Sequence, residues 1–135
     1  MMFKRKRKKK KEKLEFKKAL DIKRETTLLI KNLKFAHIRP SQIFCVRSHG
    51  SRARAYARIW GLSRIFQEAV GYKPTYVIEV ISERFDRLSS EQKTKVLIHE
   101  LMHIPMTFSG ALKQHKGRYH RINSREVEKL YKKLE

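Results

Sequence analysis

Cysteine is nearly absent from this chain, in which Cys45 stands alone among 135 residues. A single cysteine excludes an internal disulfide, and it excludes every zinc site built from two or more thiolates. Any metal ion would therefore have to be bound by histidine and carboxylate side chains.

Long apolar segments are missing as well. No stretch approaches the run of about 18 apolar residues that a membrane-spanning helix needs. No apolar segment of the signal-peptide type follows the basic residues at the start of the sequence. We therefore expect a cytoplasmic protein, and its length suits one domain with a modest core.

Acidic residues are scarce: 13 Asp and Glu stand against 34 Lys and Arg, which gives a formal net charge of +21. Residues 1–13 carry nine basic residues and one acidic residue, and we predict a disordered basic arm there. The remaining residues, 14–135, are predicted to form the folded domain and are basic too. Because neutralising phosphates releases counterions, the expected partner is nucleic acid, RNA or DNA, or the ribosome. The alternative is a solvated tail without a specific partner.

Hydrophobic periodicity predicts a single α+β domain with a short, mostly antiparallel sheet packed against helices. The predicted helices cover residues 14–33, 63–70, 89–103 and 125–135, the last capped by Asn123 or Ser124. The predicted strands cover residues 43–48, 52–60 and 75–82, the last of them buried.

The predicted strand over 52–60 alternates strictly between small and large residues. Its alanines and Ile59 would face the helices, whereas its arginines, with Tyr56 and Trp60, would face outward. Arginine and aromatic side chains together suit phosphate binding and base stacking, although an ordinary solvent-exposed face would look the same. The predicted nucleic-acid contacts, on this face and in the arm, are Lys4, Arg5, Lys6, Arg7, Arg52, Arg54 and Arg58.

The segment VLIHELMHIP contains His99, Glu100 and His103 in the pattern His-Glu-x-x-His. Residues four apart share one face of a helix, so both imidazoles can reach one Zn²⁺. Glu100 lies beside the metal without binding it and can take a proton from a zinc-bound water, which makes it the predicted catalytic base. The alternative is a core helix with two hydrogen-bonded histidines, but burying them without partners would be costly.

A catalytic zinc needs a third protein ligand. The residues alone leave three choices open, because His115, His120 and the carboxylates Glu126 and Glu128 all lie within reach downstream. Glu79, in the strand before the His-Glu-x-x-His helix, would be either a partner that orients a zinc-binding histidine or an outward-facing polar residue.

The segment HELMHIPMTFSGALKQH resembles the predicted zinc metallopeptidases of archaea and their viruses, which are small zincins. The resemblance extends upstream through SHGSRARAYARIWGL and YVIEVISERFDRLS and covers roughly residues 43–134. The segments QHKG and GRYHRIN also resemble Spartan-type proteases more weakly, since Lys116 separates His115 from Gly117. Both resemblances imply a zincin-like fold with His115 as the third zinc ligand and His120 as the alternate.

Two functions from different classes follow. The first is a zinc-dependent metallopeptidase that hydrolyses peptide bonds through a zinc-bound water, acting near nucleic acid or ribosomes. The second is a nucleic-acid- or ribosome-binding protein that keeps a zincin fold with little or no peptidase activity. Glu100 favours the enzyme, because a structural zinc does not need it, whereas the charge of +21 favours the binding protein.

Overall fold

A computed structural model of the chain describes residues 13–135, and the predicted arm, apart from Lys13, lies outside this range. Its strands are β1 (Glu15–Lys18), β2 (Ile43–His49), β3 (Ala57–Gly61) and β4 (Tyr76–Ile81). Its helices are α1 (Leu20–Asn32), α2 (Arg64–Val70), α3 (Ser82–Phe85), α4 (Ser90–Met102) and α5 (Ser124–Lys132). The α+β fold of a small zincin-like domain is thereby confirmed.

The strands form one sheet in the order β1-β2-β4-β3. The outer pairs, β1 with β2 and β3 with β4, are antiparallel, whereas the central pair of β2 and β4 is parallel. The prediction of a mostly antiparallel sheet is therefore correct.

One face of the sheet carries the core. Ile43 and Cys45 on β2 and Tyr76, Ile78 and Val80 on β4 are buried there. They join the apolar sides of α1 and α4, which contribute Ile22, Leu29, Leu97, Ile98 and Leu101. The alternation along β4 sends Val77 and Glu79 to the opposite face. Among residues 13–135, no helix is both long and apolar enough to cross a bilayer.

The helix predicted over residues 14–33 is wrong at its start. Residues 15–18 pair with residues 46–49 as an edge strand, and the helix begins at Leu20. Backbone hydrogen bonds to β2 decide between the two structures, because short segments have little intrinsic preference. Ile22, Leu29 and Leu33 are buried as predicted, but Phe16 is 59% exposed on the face of the sheet opposite the helices.

The strand predicted over residues 52–60 is too long. Only Ala57–Gly61 pairs with β4, and the segment before it is a loop whose last contact with the sheet is the bond from the Ile81 amide to the Tyr56 carbonyl. Ala57 is buried as predicted. Arg52 and Arg54, however, lie in this loop and do not share a strand face with Arg58.

Candidate metal centre

Helix α4 positions three of the predicted site residues. It begins with the predicted capping box, in which the Gln92 backbone amide donates to the Ser89 hydroxyl and the Ser89 backbone amide donates to the Gln92 side-chain oxygen. Its apolar residues anchor it against the sheet, and it ends at His103, two residues before Pro105, as predicted. His99, Glu100 and His103 thus lie on the last turn of a helix fixed at its start and along its length.

The loop between α4 and α5 brings His115 to this helix end. The Lys113 amide donates to the His103 carbonyl (2.7 Å), and the Ile122 amide donates to the His115 carbonyl (2.7 Å). The buried hydroxyl of Tyr76 accepts from the Gly110 amide and donates to the Ala111 carbonyl, both at 2.8 Å. These hydrogen bonds attach the loop to the end of α4 and to Tyr76 of β4.

Two glycines allow the loop to approach the sheet closely. Gly110 has a positive φ of 94°, which favours glycine, and its carbonyl oxygen lies 1.9 Å from the place where a Cβ on Gly61 would stand. Tyr76, Gly61 and Gly110 were not among the residues predicted for the site. The glycine of the Phe-Ser-Gly segment was the signal that could have drawn attention to this contact.

The three histidines converge on one point. The Nε2 atom of His99 lies 3.1 Å from that of His115 and 3.4 Å from that of His103. The ligand atoms of all three lie within 4.8 Å of one another. Nitrogens bound to one tetrahedral zinc ion at 2.0–2.1 Å stand about 3.4 Å apart, so the spacing fits such an ion.

A backbone hydrogen bond fixes the protonation of His103. Its Nδ1–H donates to the Lys113 carbonyl at 2.5 Å, which leaves the Nε2 lone pair directed at the other two rings. Metal-binding histidines are commonly held in this way by a bond from the second ring nitrogen. The geometry therefore presents the unprotonated nitrogen that a metal ion requires.

Burial shapes the electrostatics of the site. It lowers the pKa of His99 to about 4, with the neighbouring His103 and His115 acting in the same direction. It also lowers the pKa of His103, and it raises the pKa of Glu100 to about 7. Burial thus favours the neutral imidazoles of His99 and His103 and the protonated form of the Glu100 carboxyl group.

The other downstream candidates for a third ligand have different partners. His120 Nε2 is hydrogen-bonded to the Gln114 carbonyl at 2.8 Å. Glu126 pairs with Lys129 at 3.3 Å, and Glu128 pairs with Lys95 at 2.7 Å. Only His115 of these residues belongs to the group that could hold a metal ion within residues 13–135.

A cavity of about 440 Å³ opens beside the histidines. His99 and Glu100 form one wall, and Val96 and Val127 add apolar surface. The segment around Tyr56 closes the opposite side. The carboxyl group of Glu100 therefore borders a space large enough for side chains of a bound peptide.

The predicted nucleic-acid residues that lie within residues 13–135 do not share one strand. Lys4, Arg5, Lys6 and Arg7 lie outside the described residues. Arg52 and Arg54 lie in the loop before β3, whereas the Arg58 guanidinium donates to the Glu79 carboxylate (2.8 Å). Glu79 is thus bound to Arg58 on the face of the sheet away from α4, so it does not orient a histidine of the metal site.

Most of the chain matches one known protein family. A family model described as "Putative phage metallopeptidase" matches residues 14–135. The chain belongs to this family. Membership in the phage metallopeptidase family and the three-histidine group together indicate a metal-binding hydrolase of the peptidase class. Separate searches of curated proteins and of solved structures gave no significant match. The resemblances to archaeal proteins and to Spartan-type proteases stay predictions.

Proposed function

We propose that this member of the phage metallopeptidase family is a zinc-dependent enzyme that hydrolyses peptide bonds. The observation that carries the proposal is the convergence of the Nε2 atoms of His99, His103 and His115, with Glu100 on the same helix turn. Three imidazoles are suitable ligands for a catalytic zinc ion. The adjacent carboxylate does not bind the ion and can act as a proton acceptor.

Each residue has a distinct task in this proposal. His99, His103 and His115 would bind the zinc ion, and the Lys113 carbonyl keeps His103 in the required tautomer. When bound, zinc lowers the pKa of a coordinated water and polarises the substrate carbonyl. Glu100 accepts a proton from the attacking water and passes it to the leaving amine. Its burial beside the three histidines leaves it without a cationic side chain that would hold the proton acceptor in an ion pair.

We also propose that the protein works close to nucleic acid or the ribosome. The support is the net charge of +21 and, above all, positions 4–11, which are all Lys or Arg. The same charge supports the second candidate function, a nucleic-acid-binding protein with a zincin fold and no turnover. Catalytic activity separates the two candidates.

The substitution Glu100→Gln tests the enzyme. It removes the proton acceptor but none of the three histidines, so zinc should remain bound while peptide cleavage falls about 100- to 10,000-fold. Glu91→Gln is the matched control, because Glu91 lies in the first turn of the same helix and should keep full activity. Zinc content and cleavage of a mixed peptide library are measured together.

Two results would contradict this proposal. Equal cleavage by the wild-type protein and by Glu100→Gln would show that a contaminant or another group is responsible. Absence of cleavage by the zinc-loaded wild-type protein across the library would favour the binding protein instead.

Salt dependence tests the nucleic-acid contact. Phosphate contacts make the logarithm of the binding constant fall with the logarithm of salt concentration, by about 0.7–0.9 for each phosphate neutralised. Replacing Lys4, Arg5, Lys6 and Arg7 by Gln in the full chain should flatten this slope and leave the zinc content unchanged. An unchanged slope would remove these four residues from the contact.

A further inference from the structure

The face of the sheet opposite the helices is partly open, and it carries aromatic rings. Phe16 on β1, Phe44 on β2 and Trp60 on β3 are 59%, 53% and 52% exposed. Phe44, Val77 and Trp60 stand in one row across three strands, because Phe44 pairs with Val77 and Val77 pairs with Trp60. None of the helices within residues 13–135 lies over this row.

A depression of about 430 Å³ lies at the centre of this face. Its floor is formed by Val46, Val77 and the buried Glu79, and the rings of Phe16 and Trp60 stand on opposite sides. The residues that line it are Phe16, Val46, Arg58, Trp60, Val77 and Glu79. The space is shallow, with two valines and one carboxylate at its base, and it is bordered by flat side chains.

Glu79 holds two of these side chains in place. It is only 2% exposed, and its Oε1 atom accepts from Arg58 Nε (2.8 Å) and from Trp60 Nε1 (2.9 Å). The Arg58 guanidinium lies 5.0 Å from the centre of the Trp60 ring. Burying a carboxylate carries a desolvation cost that apolar residues would avoid. In this protein, the buried Glu79 carboxylate holds the Trp60 indole and the Arg58 guanidinium in place, and both groups remain accessible to solvent.

Such a surface favours flat ligands that stack. Nucleobases stack on aromatic rings and on guanidinium planes, and single strands leave the bases free to do so. Glu79 neutralises the charge of Arg58. We therefore expect the Arg58 guanidinium to stack on a base and not to bind a phosphate. The phosphates would be met by Lys18, which lies in the row of Val46 on the same face.

We propose that single-stranded nucleic acid binds across this open face, with bases stacked on Trp60, Arg58, Phe16 and Phe44. The proposal rests on the nucleic-acid part of the proposed function and adds the site and the strandedness. A net charge of +21 opposes a second copy of the chain as the occupant, because like charges repel.

Trp60 is the only tryptophan in the sequence, so intrinsic fluorescence reports on this face directly. The full-length protein is titrated with oligo(dT) of about 12 nucleotides, a length within the range of single-strand sites. Heparin, a polyanion without bases, and duplex DNA serve as comparisons. We expect the oligonucleotide to quench the fluorescence strongly, whereas heparin binds with little quenching.

Substitutions assign the contact to this face of the sheet, with binding followed by the fluorescence anisotropy of a labelled oligo(dT). Phe16→Ala, Phe44→Ala and Trp60→Ala should each weaken this binding about 5- to 100-fold, and the loss should persist at high salt because stacking is not screened. Trp60→Phe, which keeps a ring, should recover much of the affinity. Phe66→Ala is the matched control, since this ring is 60% exposed but is carried by α2 and not by a strand of the sheet. Zinc content and thermal unfolding verify that each variant is folded.

The outcomes separate this proposal from the one on which it rests. Oligonucleotide binding without quenching, or with equal affinity in all three alanine variants, would overturn the stacking site and leave a purely electrostatic contact. No binding at low salt would overturn both. Equal quenching by heparin, or a dimer that Trp60→Ala converts to a monomer, would show that the face takes an acidic chain or a second copy instead.

Discussion

Glu100 and Glu79 are both buried carboxylates, one on the helix side of the sheet and the other on its open face. Burial raises the pKa of Glu100 to about 7. Burial would also raise the pKa of Glu79. Hydrogen bonds from the side chains of Arg58, Ser48 and Trp60 outweigh this effect and lower the pKa overall. The two pKa values shift in opposite directions because Glu79 accepts hydrogen bonds from a cationic side chain and Glu100 does not. A buried carboxylate bonded to a cation anchors structure, whereas one without a cation becomes a group that exchanges protons.

The largest expected effect concerns the histidines beside Glu100. His115→Ala removes one of the three converging nitrogens. Zinc affinity should therefore fall by more than the 10- to 100-fold that is typically lost when a group hydrogen-bonded to a metal ligand is removed. His120→Ala, on the same loop, should keep the metal because its ring is bonded to the Gln114 carbonyl. Elemental analysis and competition with a chelator measure both. If His120→Ala loses zinc and His115→Ala retains it, the assignment of the third ligand is wrong.

An intermediate effect is expected for the two carboxylates themselves. Glu79→Ala leaves Arg58 and the Trp60 indole N–H without their acceptor and should lower the free energy of unfolding by about 1–3 kcal/mol. Glu79→Gln keeps an acceptor and should cost less. Glu100→Gln in the metal-free protein should not lower stability, because it removes a buried charge that has no cationic partner. Urea unfolding measures all three, and a larger loss for Glu100→Gln than for Glu79→Ala would invert the comparison.

The smallest effect is expected where a carboxylate has a cationic partner but little burial. The hydrogen bond from Arg47 lowers the pKa of Asp21 to about 2, from an ordinary value of 3.8. A pKa lowered in the folded state means stability that is present above the ordinary value and is lost as the pH falls from about 4 to about 2. Because Asp21 is half exposed, we expect less than about 1 kcal/mol.

Thermal unfolding across this pH range compares the wild-type protein with Arg47→Gln. The variant should lose stability less steeply between about pH 4 and pH 2, because Arg47 no longer lowers the pKa of Asp21 or of Asp86, its second partner at 3.2 Å. Identical pH profiles would show that the ion pairs of Arg47 with Asp21 and Asp86 contribute nothing to stability in this range.

The sequence predicted best those elements whose signals are local. The capping box at Ser89, the proline after His103 and the continuous β-type run of β4 each gave the correct element. Strand β1 was missed, since residues 15–18 become a strand only through pairing with β2, which lies far along the chain. The alternation over residues 52–60 indicated a longer strand than β4 can pair.

The residues of the metal site also differ in how far local sequence signals predicted them. The spacing of His99, Glu100 and His103 follows from helix geometry alone. Spacing could not choose among His115, His120 and the two carboxylates of α5, because the path of the intervening loop depends on Tyr76 and on the contact between Gly61 and Gly110. Nor could it reveal that Glu79 would hold Arg58 and Trp60, a contact made between two strands.

The parallel pairing of β2 with β4 has a consequence for the order of folding. Ile43 lies opposite Tyr76, so β3 and α2 must be looped out before the central pair can form, and closing such a loop slows folding. The antiparallel pair of β3 and β4 closes a shorter loop and is favoured to form earlier. Tyr76, which holds the loop carrying His115, belongs to both pairs. We therefore expect His115 to join His99 and His103 late, after the sheet is in place, so that helix α4 by itself offers a metal ion only two of the three imidazoles.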